Sequence, residues 1–186
     1  SKLDWILKKQ AEARAAQKAA PAAKEFVSGE KFAYLGELYP LEIVARARPA
    51  LALENGHFKL AQNALPRAEA VFERWYRAQA AEVLAERVAA RLLPFAAFGY
   101  RPSKIRISGA RTRWGSCSSS GTLSFTWRLM TVPLAVVDYV VVHELAHLRI
   151  RNHSKEFWAL VKAILPDYAK RRAWLKANGG THADFA

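Results

Sequence analysis

The side chains best suited to chemistry lie together: His143, Glu144, His147 and His153 all fall in the stretch HELAHLRIRNH, which holds three of the five histidines in the chain. Two histidines four apart on a helix project from the same face, so His143 and His147 can direct their imidazoles at one ion. The helix that carries them is otherwise apolar, and a buried helix does not hold two imidazoles and a carboxylate without a partner for each. The pattern therefore points to a metal ion, and imidazole ligands favour zinc. His153, separated from His147 by five residues, has the offset of the third ligand in H-E-x-x-H-x-x-G-x-x-H sites. Ile150 stands where that pattern has Gly, so the turn is expected through Asn152, which tolerates a left-handed backbone. Glu156 competes for the third position but is better placed in the first turn of a helix capped by Ser154. Three protein ligands leave a fourth position for water, the arrangement of a catalytic site. Glu144 flanks the ion and is the expected general base, taking a proton from the metal-bound water as it attacks a carbonyl. A further donor for the tetrahedral intermediate is needed. Arg113, Arg128, Tyr139 and Tyr168 are all candidates.

These residues require a buried helix and a scaffold around it. PLAVVDYVVVHELAHLRI, from Pro133, is apolar nearly all round and predicts a central helix, with Thr131 as its cap and Pro133 in its first turn. Ahead of it, Leu123, Phe125, Trp127 and Leu129 alternate with Thr122, Ser124, Thr126 and Arg128, the pattern of a half-buried strand, and IRISGA around Ile105 predicts another. After it, Ser154 can cap SKEFWALVKAIL, and Pro166 opens a last short helix through Trp174 and Leu175. Farther upstream, FAYLGELYPLEIVA and ALALENGHFKLA predict three strands with a hairpin turn at Asn55-Gly56. Pro66 to about Leu93 reads as a long helix closed by Pro94 and Gly99. Residues 1 to about 24, rich in Ala, Lys, Gln and Glu, predict a helix broken near Pro21. The expected organisation is a helical arm over 1–30 and a single α+β domain over 31–186. That domain divides into a β-rich part (31–65), a long helix (66–93) and a metal-binding part (100–186).

The 186 residues, 52% apolar and 24% charged, suffice for one packed domain and exclude global disorder. One Cys excludes a disulfide framework and fits a reducing compartment, so the expected location is cytoplasmic. The longest apolar run, Val132 to Val142, is interrupted by Pro133 and Asp138 and is too short to span a bilayer; no signal peptide is visible, and no membrane partner is expected. The chain starts at Ser1 and its only Met is Met130, so a processed or trimmed start is expected. The formal net charge is +13. Residues 101–137 carry Arg101, Lys104, Arg106, Arg111, Arg113 and Arg128 with no acidic side chain, interleaved with Tyr100, Trp114, Phe125 and Trp127. That stretch is the strongest local signal of a nucleic acid or other anionic partner.

In order along the chain, RTRWGSCSSSGTLSFTWRL, DYVVVHELAHL, NHSKEFW, PDY and RRAWL closely resemble the YgjP-like metallopeptidase family, related to the SprT-like and WLM zinc proteases. The resemblance runs from about Trp5 to Leu175. It implies a zincin-like α+β fold in which a small mixed sheet packs on a buried H-E-x-x-H helix with additional helices. It further implies zinc on His143, His147 and His153, with Glu144 catalytic. By the same resemblance the strand Leu123–Leu129 is the edge on which an extended peptide adds, passing close to Arg113 and Arg128. Trp114 to Cys117 is a family signature without a derived role; Trp114 joins Arg113 and Arg128 as a candidate substrate-binding residue, and Cys117 is expected to be a loop residue near the site. Two departures stand out: the strand-rich segment usual ahead of Trp5, Ile6, Lys8 and Lys9 is missing, and Thr126 stands where Asn is common. The expected function is a zinc-dependent peptidase acting on peptides or proteins. The alternatives are a zinc-dependent hydrolase of a nucleotide or other phosphate-containing substrate, with Arg111, Arg113 and Arg128 binding phosphate, and a DNA-associated protease-like binding protein, against which the intact Glu144 argues.

Overall fold

Two tight turns with positive φ fold the first half of the chain into a sheet. In the structure, a computed structural model that describes residues 24–179, Leu35-Gly36 (φ 50° and 96°) joins β1 (Lys31–Tyr34) to β2 (Glu37–Val44). Asn55-Gly56 (φ 50° and 75°) joins β3 (Leu51–Glu54) to β4 (His57–Ala61) as expected. The sheet has the order β1-β2-β4-β3, with β2 and β4 parallel. There are thus four strands where the sequence predicts three, because a Leu in the first turn position disguises the Leu35-Gly36 hairpin. Its tip is docked: the Leu35 N–H donates to the Met130 carbonyl (2.7 Å), and a Cβ on Gly36 would lie 2.9 Å from Pro133 Cα.

The helix expected near Pro21 lies outside the described residues, and the arm expected to residue 30 is not helical over 24–30. There Phe26 packs its ring on Phe32 (5.5 Å) and Phe72 (5.4 Å), and the Gly29 N–H donates to the Leu41 carbonyl. A 3-10 turn over Gln62–Arg67 contains Pro66 and leads into α1 (Ala68–Ala96), which buries Phe72, Tyr76, Ala80, Leu84 and Val88 along one stripe. Pro94 does not end α1. It lies in the last turn, where it removes only one backbone bond, and the buried Phe95 keeps the chain on the core.

The second sheet has the order β5-β7-β6, built from β5 (Lys104–Ser108), β6 (Gly115–Cys117) and β7 (Thr122–Thr126). The strand expected over 123–129 stops at Thr126, whose hydroxyl accepts the Arg128 N–H and opens a 3-10 turn over Trp127–Thr131. That turn drives Trp127 into the core, stacked on Tyr76 at 5.5 Å. Nor is this strand an edge. β7 pairs with β5 on one side and β6 on the other, so the edges of the sheet are β5 and β6. Leu123 and Phe125 face inward, while Thr122 and Ser124 lie on the opposite face with the aligned Arg106 and Ser116.

α2 (Leu134–Ala146) is the buried helix the sequence predicts, followed by α3 (Lys155–Ile164) and α4 (Tyr168–Asn178). Thr131 does not cap it: the N-cap position is Pro133, and the Thr131 hydroxyl lies in the preceding 3-10 turn, where it donates to the Arg128 carbonyl (2.9 Å). One acid on α2 ties three helices together. Asp138, 5% exposed, accepts two bonds from Arg87 (2.7 and 2.9 Å) and one from Arg91 (2.6 Å) of α1, and Arg171 of α4 lies 4.0 Å away. Burial works against its charge, but the two hydrogen-bonded arginines prevail and hold its carboxyl below the usual range. No described helix is long and apolar enough to cross a membrane. The architecture is α+β, with two small sheets and four helices among the described residues.

Candidate metal centre

The chain brings His143, His147 and His153 together as their spacing predicts, but it turns differently on the way. His143 lies in the last turn of α2 and His147 follows its end. Leu148 and Arg149 continue in tight turns, donating to the carbonyls of Leu145 and Ala146. Asn152 is not among the residues with positive φ. The reversal is spread over a bend at Asn152 and turns at His147–Arg149, where the Ile150 carbonyl accepts the His147 Nδ1–H at 2.9 Å. That bond fixes the tautomer of His147 and leaves its Nε2 as the ligating atom.

The three imidazole centroids form a nearly equilateral triangle of 4.8, 4.9 and 4.8 Å. One nitrogen from each ring lies within 4.8 Å of the others, and the Nε2 atoms of His143 and His153 face each other at 3.0 Å. Tetrahedral metal–nitrogen bonds of about 2.0–2.1 Å set neighbouring ligand atoms roughly 3.3 Å apart, close to this spacing. Phe157 backs all three rings at 4.9, 4.6 and 4.9 Å, and Trp158 stacks on His153 at 5.6 Å. Burial first, then the neighbouring His147, His153 and Arg172, pushes His143 down to about 3, and burial also lowers His147. Neutral imidazole is the ligating form. The buried Nδ1 of His143 has no partner among the described residues. The donor set therefore fits a divalent cation. Glu156 does not join it: this side chain is exposed and is held below the usual carboxylate range by the Ser154 hydroxyl and its own N–H, while Ser154 caps α3 by accepting from the Phe157 N–H.

Glu144 is as buried as Asp138, at 5% exposure, yet no hydrogen bond to its carboxylate occurs among the described residues. Burial pushes it up to about 7, with the Arg113 guanidinium opposing. Its place is made by Gly115. A Cβ there would lie 2.7 Å from both Cγ and Oε1 of Glu144, so any side chain at this position would push the carboxylate from its place. This gives the Trp114–Cys117 signature a physical role that spacing could not reveal.

Glu144 and His143 open into a cleft of about 150 Å³ shared with Trp114, Gly115, Tyr139, Val140 and Leu175. Trp114 is thus placed beside the candidate catalytic groups, and Arg113 is exposed on the rim. Arg128 is buried: it donates to the Gly109 carbonyl (3.1 Å), and its guanidinium lies 4.3 Å over the Trp127 ring, so it holds the loop before β6 in place. Of the two tyrosines, Tyr139 lines the cleft, whereas Tyr168 stacks on Trp158 at 5.5 Å. Burial raises the Cys117 thiol above its usual range despite Arg151 nearby, which leaves it a thiol at neutral pH. Sequence reasoning passed over Gly115, the Phe157 backing and Arg172, whose guanidinium lies 4.5 Å over the Trp158 ring.

Three converging imidazoles that could hold a metal ion lie beside a buried carboxylate with no hydrogen bond among the described residues. The chain belongs to the YgjP-like metallopeptidase family, whose description "YgjP-like, metallopeptidase domain" matches residues 1–178. Among solved structures it is similar to the metallopeptidase zymogen abylysin of Pyrococcus abyssi. The identity is 21% and the TM-score 0.44, over 53% of this chain and 97% of that one. No curated protein matches the sequence.

Proposed function

We propose that the protein is a zinc-dependent peptidase of zincin-like architecture, with His143, His147 and His153 as ligands and Glu144 as general base. The observation that carries this reading is the buried Glu144 carboxylate, which among the described residues has no hydrogen bond and lies beside the imidazole triad under β6, a strand paired on one side only. A divalent ion on the triad supplies Lewis-acid polarisation of a carbonyl and a more acidic water. The remaining tasks fall to the protein's own residues. Trp114 O accepts the Thr126 N–H and the Ser118 N–H donates to Thr122 O, so antiparallel alternation turns the backbone groups of Gly115 and Cys117 away from β7. An extended peptide can add to β6 there, the role expected of the strand that proves to be central. Glu144 takes a proton from the attacking water and returns it to the leaving amine. The Tyr139 hydroxyl, which has no hydrogen bond among the described residues, is the donor for the developing oxyanion.

Membership in a metallopeptidase family favours this reading over nucleotide hydrolysis, as does the commitment of Arg128 to Gly109. The test is a cleavage screen of the zinc-loaded protein on an extended-peptide library and on nucleoside triphosphates, with Glu144→Gln as the blank. Peptide turnover that disappears in Glu144→Gln supports the proposal. Turnover of nucleotides without any peptide would sink it.

A further inference from the structure

The exposed face of the β5-β7-β6 sheet carries a groove of about 550 Å³, larger than the metal cleft and separate from its lining except through β6 and the residues next to it. Its floor is a row across three strands: Arg106 on β5 aligns with Ser124 on β7, which aligns with Ser116 on β6. Thr122 and Ser120 extend the floor, Arg113 closes the side next to β6, and no carboxylate lines it. Among the described residues the Arg106 and Arg113 guanidiniums and the Ser116 and Ser124 hydroxyls have no hydrogen-bond partner. A groove that leaves two cations over a bed of hydroxyls, with no carboxylate in its lining, presents an anion site.

What reaches that site follows from strand geometry. Successive side chains of a strand point to opposite faces, and a peptide added to β6 continues the pleat of the sheet. Every second side chain then falls on the face of Ser116, beside Arg113, with Arg106 two strands farther across. The alternate side chains fall on the face of Gly115, toward Glu144 and the imidazoles. We propose that the groove selects substrates with Asp or Glu at the alternate positions that face it, with Arg113 as the contact and Arg106, about 14 Å across the sheet, adding to the positive potential of the groove. This deepens the peptidase reading and rests on it for the placement of the peptide. A carboxylate side chain suits the groove better than a nucleic acid strand does, because its lining holds no aromatic ring on which a base could stack.

Binding tests the proposal independently of turnover. Fluorescein-labelled eight-residue peptides of one extended sequence, carrying Glu, Gln or Lys at alternate positions, are titrated by anisotropy against zinc-loaded Glu144→Gln protein. The Glu peptide should bind about tenfold tighter than the Gln peptide at low salt, with the advantage shrinking as salt rises. Both arginines are at exposed positions; Arg113→Glu should reverse the preference toward the Lys peptide, and Arg106→Glu should reduce the preference for the Glu peptide. Preferred binding of the Glu peptide without cleavage of any peptide would retain the acidic site while rejecting the peptidase reading. Equal affinity for the three peptides, preference unchanged in both variants, or displacement of the Glu peptide by a single-stranded oligonucleotide at lower concentration would overturn the proposal.

Discussion

The two acids of α2 are equally buried and oppositely treated. Asp138 is met by two hydrogen-bonding arginines with a third close by, and its carboxyl is held low. Glu144, six residues on, has no hydrogen bond among the described residues and is pushed up to about 7. The first has its partners built in, and the second is left with proton-accepting capacity facing a cleft. Burial alone therefore does not distinguish a structural acid from a chemical one; partnership does.

Substitution should separate the pair most sharply at Glu144. Glu144→Gln should lower kcat by about a thousandfold, within the range of general-base contributions, while zinc content by mass spectrometry and the melting curve stay as in the wild type. Loss of zinc together with activity would make Glu144 structural and collapse the contrast. Tyr139→Phe should cost kcat about a hundredfold with KM little changed if its hydroxyl serves the oxyanion. Gly115→Ala should cost about tenfold or more, because the added methyl overlaps the place of Glu144; a pH–rate profile altered along with kcat would show that the carboxylate has moved. Asp138→Asn should leave the imidazole triad in place but destabilise the fold by about 2–3 kcal/mol, since it removes the charge that accepts from two half-buried arginines. Urea unfolding of the two proteins measures the difference. The smallest effect is in pH. With its carboxyl held below the unfolded value of about 3.9, Asp138 contributes its full stability above that pH and loses it as pH falls through the folded value. The wild type should therefore weaken below about pH 4 more steeply than Asp138→Asn.

Local features were legible because their causes are local. The imidazole spacing, the Asn55-Gly56 turn, the Ser154 cap and the all-round apolar helix each depend on residues within a turn or two of one another. Features that depend on a distant partner were not. Alternation along 122–129 shows that a strand has two faces but not what lies beside it, so the central position of β7 and the edge position of β6 emerge only from pairing. The arginines that meet Asp138 lie 51 and 47 residues upstream. Gly115 lies in a family signature that shows no role until Glu144 is seen beneath it. The chain does bend at Asn152, but without a left-handed residue, and turns at His147–Arg149 with the His147 to Ile150 bond share the reversal.

The docked tip of the Leu35-Gly36 hairpin acts as a mechanical stop for α2. With no space for even a methyl group between Gly36 and Pro133, the first sheet sets where α2 begins. Ten residues farther along, about 15 Å at the helical rise, that starting point becomes the height at which His143 meets His153. The N-terminal half of the molecule thus works as a calibration shim: a side chain inserted at position 36 would shift the reading at a site it never touches.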